Sequence, residues 1–259
     1  MDIRFGYETY QDVRHNLFLY SVPVLIFAGF FTYFAILPLG HRAAVTAAVL
    51  HVVRNPIWSK WVQGGASLVL FAIIAFLLTE IVQVHDQWYD KYVIKWRFRY
   101  ATDFILPRLT RPFACHLGYR FYEAERNVGA FQERLFYPFV GDRDPKIPKN
   151  KLVRFYEVIT LYWLTQLNEL LILLMLIAAG VYQLAGPADP GYRTRLLRAS
   201  LILVALLVAN RAWIRSAREK TRSRTEDEIL AIHENHLEDL QERLVKLCQD
   251  YHIPYEEKA

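Results

Sequence analysis

Residues Leu161–Gln183 read LYWLTQLNELLILLMLIAAGVYQ. Across this stretch Glu169 is the only Asp, Glu, Lys or Arg. A water-soluble helix spaces polar residues at its own period, whereas a run this long and this apolar is the pattern of a helix in hydrocarbon. Three further runs stand beside it. Leu17–Leu37 carries no charge and includes Pro23 and Gly29, which membrane helices tolerate better than soluble ones. Val62–Val84 is interrupted only by Glu80. Leu196–Asn210 is shorter and edged by Arg198 and Arg211, which reach the headgroups by snorkelling. A span needs about 20 apolar residues to cross a core about 30 Å thick.

The runs predict an all-α integral membrane protein. Two transmembrane helical hairpins, four spans in all, flank a helical cytoplasmic middle segment, and a C-terminal heptad helix follows. The expected division is a tail at 1–16, a first hairpin at 17–84, a cytoplasmic segment at 85–155, a second hairpin at 156–213 and a C-terminal helix at 214–259. Orientation follows from the basic residues. In a four-span chain 25 Lys and Arg fall on the side of the two termini and the middle segment, against 6 on the other. The positive-inside rule therefore puts both termini in the cytoplasm, with a bacterial inner membrane as the expected location. Asp2, Glu8 and Asp12 make the first residues unlike a cleaved signal peptide. The opposite loop, 38–61, holds an apolar stretch, Ala43–Val53, too short to span; it predicts an interfacial helix, with a re-entrant pore-lining helix as the alternative.

The pattern of the second run continues as a helix to Leu106, where Pro107 is expected to end it. Trp88, Tyr92, Trp96 and Tyr100 form an aromatic stripe, with Lys91, Lys95 and Arg99 beside it. A second helix is expected over Phe113–Phe136 and a loop over Tyr137–Asn150. Such a juxtamembrane face suits lipid or protein contact, and the 85–155 segment is the expected docking surface for a cytoplasmic partner. Lys91, Lys95, Arg97, Arg99 and Arg120 are candidate contacts for a lipid headgroup or a small anion, although no Gly-rich phosphate loop accompanies them. Nucleic acid is not expected. In the tail, Leu230, His233, Leu237, Leu240, Leu244, Leu247 and Tyr251 recur at spacings of three and four. They read as a heptad seam that either packs on its own chain or joins subunits as a coiled coil.

Ionisable groups inside a span are costly and point to function. Glu169, with Asn168 and Gln166 beside it, is the leading candidate, and Glu80 lies nearer the inner boundary. Glu169 could be protonated, paired with a basic residue of another helix, part of a carboxylate ring in a cation pore, or one of several side chains hydrogen-bonding across helices. Cys115 and Cys248 form no CxxC pair, and all eight histidines lie outside the spans. No metal or cofactor site is expected, and no nucleotide, esterase or metalloprotease motif occurs.

The layout of hairpin, basic cytoplasmic segment, hairpin and helical tail resembles the four-span membrane effectors of bacterial anti-phage and nucleotide-signalling defence systems. It is also similar in topology to proton-driven stator subunits of the flagellar-motor type. The first resemblance implies a homo-oligomer that opens or disrupts a membrane; the second implies a subunit of a larger complex. The expected function is a non-enzymatic, oligomeric membrane effector or ion pore gated from the cytoplasmic side. The alternative is a non-catalytic anchoring, scaffold or stator-like subunit.

Overall fold

The computed structural model describes residues 10–54, 66–82, 100–113, 132–141 and 146–251. Among them every regular element is a helix, and none is a strand. In chain order these are α1 (Tyr10–Phe31), α2 (Leu39–Arg54), α3 (Ala66–Phe76), α4 (Leu106–Leu109), α5 (Tyr137–Val140), α6 (Lys149–Ala185), α7 (Pro190–Asn235) and α8 (Leu237–Asp250). π turns extend α1 at Thr32–Ile36 and α3 at Leu77–Ile81, and precede α4 at Ala101–Ile105 and α5 at Gln132–Phe136.

Among the described residues three helices are long and apolar enough to cross a membrane: Gln11–Ile36, Lys149–Ala185 and Pro190–Asn235. The expected count was four. The second apolar run is described only over residues 66–82, as α3 and its π turn, and that length falls short of a span. Leu196–Asn210 looked like a marginal span because its arginines interrupt the apolar pattern. It lies instead inside a 46-residue helix, about 69 Å long at helical rise. The helix continues because its residues Arg211–Asn235 contain no Gly or Pro to stop it. The sequence boundary at 155/156 likewise falls inside α6, which starts at Lys149 directly after Pro148.

The chain divides into two compact units. One comprises Arg14–His85 and Leu161–Ser216. Its core joins Ala28 and Ile36 of the α1 region to Ile172, Met175 and Ala179 of α6 and to Tyr192, Leu196 and Leu203 of α7. The tight turn between α6 and α7 has its own chemistry. Gly186 closes α6, and a Cβ there would lie 2.2 Å from the Tyr182 carbonyl oxygen. Asp189 then caps α7, accepting a 2.8 Å bond from the Tyr192 N–H, with Pro190 at the first helical position. Tyr192 Oη donates to the Ile36 carbonyl at 2.8 Å and ties this turn to the end of α1. Gly29 lets the Phe71 ring of α3 approach α1: a Cβ would meet its Cζ at 2.9 Å. Only 22% of the most apolar stretch of α1 and of α7 is buried, against 39% for α6, so α6 is the best-covered of the three.

The other unit comprises Met1–Val13, Asp86–Thr160 and Ala217–Ala259. Its helices depart from the sequence expectation at two places. The helix expected to stop at Pro107 runs on to Leu109, because the preceding π turn shifts the backbone bonding and leaves Pro107 in the first turn of α4, where no donor is needed. The loop expected over Tyr137–Asn150 contains α5 and the start of α6. Most of the helix expected at Phe113–Phe136 lies outside the described residues, apart from its last turn at Gln132–Phe136.

The heptad seam is divided. α7 ends at Asn235, and His236 leaves helical geometry at φ −140°, ψ 29° before α8 begins. The last turns of α7 bury Glu228, Ile229, Ala231 and Ile232, so Leu230 and Leu237 point outward, 51% and 40% exposed. Only the second half behaves as a buried stripe: Leu240, Leu244 and Leu247 are each at most 1% exposed, and α8 lies against the π turn at Gln132–Phe136. Asp239 fixes the start of α8 through an ion pair with Lys146 and a 2.8 Å bond from Arg243 Nε. The hydrogen bond from Lys146 holds its carboxyl below the usual range. Leu244→Ala is therefore expected to destabilise the chain by about 2–5 kcal/mol, and Leu237→Ala by less than about 0.5 kcal/mol, in thermal or denaturant unfolding. Equal losses at both positions would restore the continuous seam.

Candidate functional site

Along α6 the buried positions recur every three or four residues: Tyr162, Gln166, Glu169, Ile172 and Met175. An apolar helix would fill such a stripe with Leu or Ile. Here two of its members are an amide and a carboxylate, both with no exposed surface. The turn at 186–189 brings the opposite face of α7 alongside. Asn210 Nδ2 donates to the Thr165 carbonyl at 2.9 Å, a bond buried from solvent. The Thr165 hydroxyl in turn donates to the Tyr162 carbonyl at 2.6 Å.

Arg211 Nη2 forms an ion pair with Glu169 Oε1. The pair is asymmetric, because the arginine side chain is 54% exposed while the carboxylate is fully enclosed. Neither carboxylate oxygen accepts an aligned hydrogen bond among the described residues, so the contact is Coulombic rather than a bidentate fork. Of the states open to Glu169 in the sequence, the geometry is that of pairing with a basic residue of another helix. Paired in this way, it is not a bare carboxylate.

Gln166 is the more unusual group. Neither its amide nitrogen nor its amide oxygen has a hydrogen-bond partner among the described residues. Asn168 Oδ1 is in the same condition, as is Nδ2 of Asn16 on α1, a residue 2% exposed. Burying an amide without a partner costs about 1–3 kcal/mol on mutational scales, so these groups are natural places for an ordered water or a polar ligand atom.

The remaining sequence candidates separate. Glu80 lies in the π turn after α3, beside the buried Thr79, whose hydroxyl bonds to the Ala75 carbonyl at 2.8 Å. Lys91, Lys95, Arg97, Arg99 and Arg120 lie outside the described residues. His233 is half-buried, and its Nε2 is 3.0 Å from the Leu109 carbonyl, which gives this polar seam residue a structural partner. Tyr251 packs under Arg134, which also bonds Asp250 at 2.6 Å.

Sequence reasoning missed Arg211 as the partner of Glu169, and the signal was present. Counting back from Gly186 and forward from Asp189 brings residue 165 level with 210 and residue 169 level with 206, and the long side chain of Arg211 reaches the rest of the way to Glu169. It also missed a buried polar group in the other unit. Tyr100 Oη donates to Thr225 Oγ1 at 2.5 Å and lies 3.2 Å from the Thr221 carbonyl. Burial pushes its hydroxyl above the ordinary phenol range. Glu228, 1% exposed and an electrostatic neighbour of Tyr100, is pushed well above the carboxylate range by burial and then by Asp227, with Lys151 opposing. Thr221, Thr225 and Glu228 lie on one helical face, a spacing that could have been read from the sequence.

Arg211→Gln is expected to destabilise the chain by about 3 kcal/mol, because it strands a buried carboxylate. Adding Glu169→Gln should recover most of that loss in the same unfolding measurement. A double variant no more stable than Arg211→Gln alone would show that the pair carries no coupling.

The model of the YmfE protein family matches residues 58–244, a stretch that contains all of α6 and α7 and with them Gln166, Glu169, Asn210 and Arg211. No curated protein and no solved structure matches the chain.

Proposed function

The chain therefore belongs to that family, and we propose for it the role of a homo-oligomeric membrane effector that conducts ions and is gated from its charged cytoplasmic portion. One observation carries the reading: the polar site around Gln166 and the Glu169–Arg211 pair sits between α6 and α7, two helices long and apolar enough to cross a membrane. In a bilayer no solvent reaches such groups from the lipid side, so their partners come from within the protein or from water inside it. Water taken up at Gln166, and at the amides of Asn168 and Asn16, would start a polar path between helices. With Glu169 neutralised by Arg211, that path discriminates weakly by charge, unlike a ring of bare carboxylates. Four spans and cytoplasmic termini belong to this proposal, with α3 as part of the second span. The basic 85–155 segment then docks a cytoplasmic partner or trigger, and no catalytic chemistry is involved.

A scaffold reading draws on a different observation. Phe27, Phe30 and Phe34 on α1 and Leu197, Leu201 and Val208 on α7 are all more than half exposed. Lipid tails cover such faces, and so do the helices of a partner subunit. Stoichiometric copurification of a different membrane protein in mild detergent would favour this second reading.

In vesicles loaded with potassium, the purified chain is expected to dissipate the gradient about tenfold faster than empty vesicles, and Gln166→Leu to remove most of that flux. Vesicles that hold their gradient as well as empty ones in every triggered state would sink the conducting role. Single cysteines placed at Ala188 and at Lys220, in a background lacking Cys115 and Cys248, should label from opposite sides of the membrane. Labelling from one side would remove the fourth span.

A further inference from the structure

Arg42, in the first turn of α2, donates from Nε to the Leu37 carbonyl at 2.9 Å and from Nη2 to the Phe34 carbonyl. Arg195, in the second turn of α7, donates from Nη2 to the same Leu37 carbonyl at 3.1 Å. Two guanidinium groups thus converge on one neutral oxygen, close enough to repel each other. Arg195 Nε is enclosed and has no hydrogen-bond partner among the described residues. Its face is stacked toward the Tyr192 ring, 5.1 Å from the centroid. The carboxylate that attracts Arg195 is Asp189, and that side chain is already occupied in capping α7. Arg193 and Arg198, both exposed, add to the positive charge of this end of α7.

Like charges gathered with so little compensation suit an anion, and guanidinium forks suit a phosphate in particular. What surrounds them is apolar and open. Arg195, Arg198, Ile202 and Leu206 fall on one face of α7, the last two 51% and 37% exposed. Leu39, on the same face of α2 as Arg42, is 74% exposed. A free phosphate has no use for these side chains, whereas a lipid fills both halves of the arrangement.

We propose that Arg42 and Arg195 hold the phosphate of an anionic phospholipid, with Arg198 beside it and an acyl chain lying along Ile202 and Leu206. The site rests on the chain being in a bilayer but not on its conducting ions, and lipid binding is read out separately from flux. The lipid phosphate supplies the charge that the Leu37 carbonyl cannot, and it anchors the ends of α1, α2 and α7 at one level of the headgroup region.

The full-length chain in detergent is titrated with phosphatidylglycerol, with phosphatidylcholine or with inorganic phosphate, and its melting temperature is followed. Phosphatidylglycerol is expected to raise the melting temperature, and the other two to raise it little. The Arg42→Gln, Arg195→Gln double variant should need about tenfold more phosphatidylglycerol for the same rise. Because that variant also loses bonds to Leu37 and Phe34, the exposed Arg198→Gln serves as the second probe, with a smaller weakening in the same direction. An equal response to phosphatidylcholine would overturn the proposal. So would a full response to inorganic phosphate alone, which would make the ligand a free anion, or wild-type titration curves for both variants.

Discussion

A carboxylate with no exposed surface must keep its counter-charge, and in this chain that constraint fixes how α6 and α7 lie against each other. Glu169 reaches Arg211, and the neighbouring Asn210 closes a buried bond to the Thr165 carbonyl. Sliding either helix by one turn, about 5.4 Å, would break both contacts and leave a buried charge unmatched. The Asp189 cap and Pro190 start α7 at a defined residue, so the pair is met without slack at the turn. Tyr192 carries the same register to α1 through the Ile36 carbonyl. Apolar packing fills the space between these points, but Leu, Ile and Met side chains are interchangeable enough that packing alone would accept several registers.

Both units bury polar atoms that have no hydrogen-bond partner among the described residues, amides in one and a carboxyl in the other. Around Gln166 the amides lack partners among the described residues, and that incompleteness gives the site a capacity to hold water or a ligand. In the other unit Tyr100 donates to Thr225 on α7, Glu228 lies on the same face of α7 with neither oxygen hydrogen-bonded among the described residues, and burial favours the neutral forms of the tyrosine and the carboxyl. Its surface clamps are ordinary solvated pairs such as Arg134–Asp250 and Arg108–Glu226, each worth little on its own. Stability there comes from Phe139, Leu135, Leu240 and Leu244, all fully enclosed.

Apolar exposure has the opposite sense in the two units. Leu230 and Leu237 are isolated outward positions on either side of a helix break. On α1 and α7 the exposed residues form whole faces, which is the surface expected of helices whose solvent is hydrocarbon. The arginine pair at the end of α2 and α7 marks where such a face gives way to charge.

Length and polarity of the apolar runs were enough to read an all-helical chain with helices suited to a membrane, because hydrophobicity over some twenty residues is a local property. Glu169 stood out for the same reason: a lone ionisable residue in an apolar run is visible without any knowledge of its surroundings. Local pattern misled where helix continuity depended on backbone bonding, as at Pro107, and where the seam at Leu230–Tyr251 matched a heptad while the chain breaks at His236. A periodicity states which residues share a face, not which face is buried; that is decided by what packs against it, and here α7 buries the Glu228–Ile232 face instead. In the same way the sequence supplied Glu169 and Arg211 as separate residues. Only the tertiary structure made them a pair and left Gln166 beside them without a partner among the described residues, because both facts depend on distances between helices that no single stretch of sequence contains.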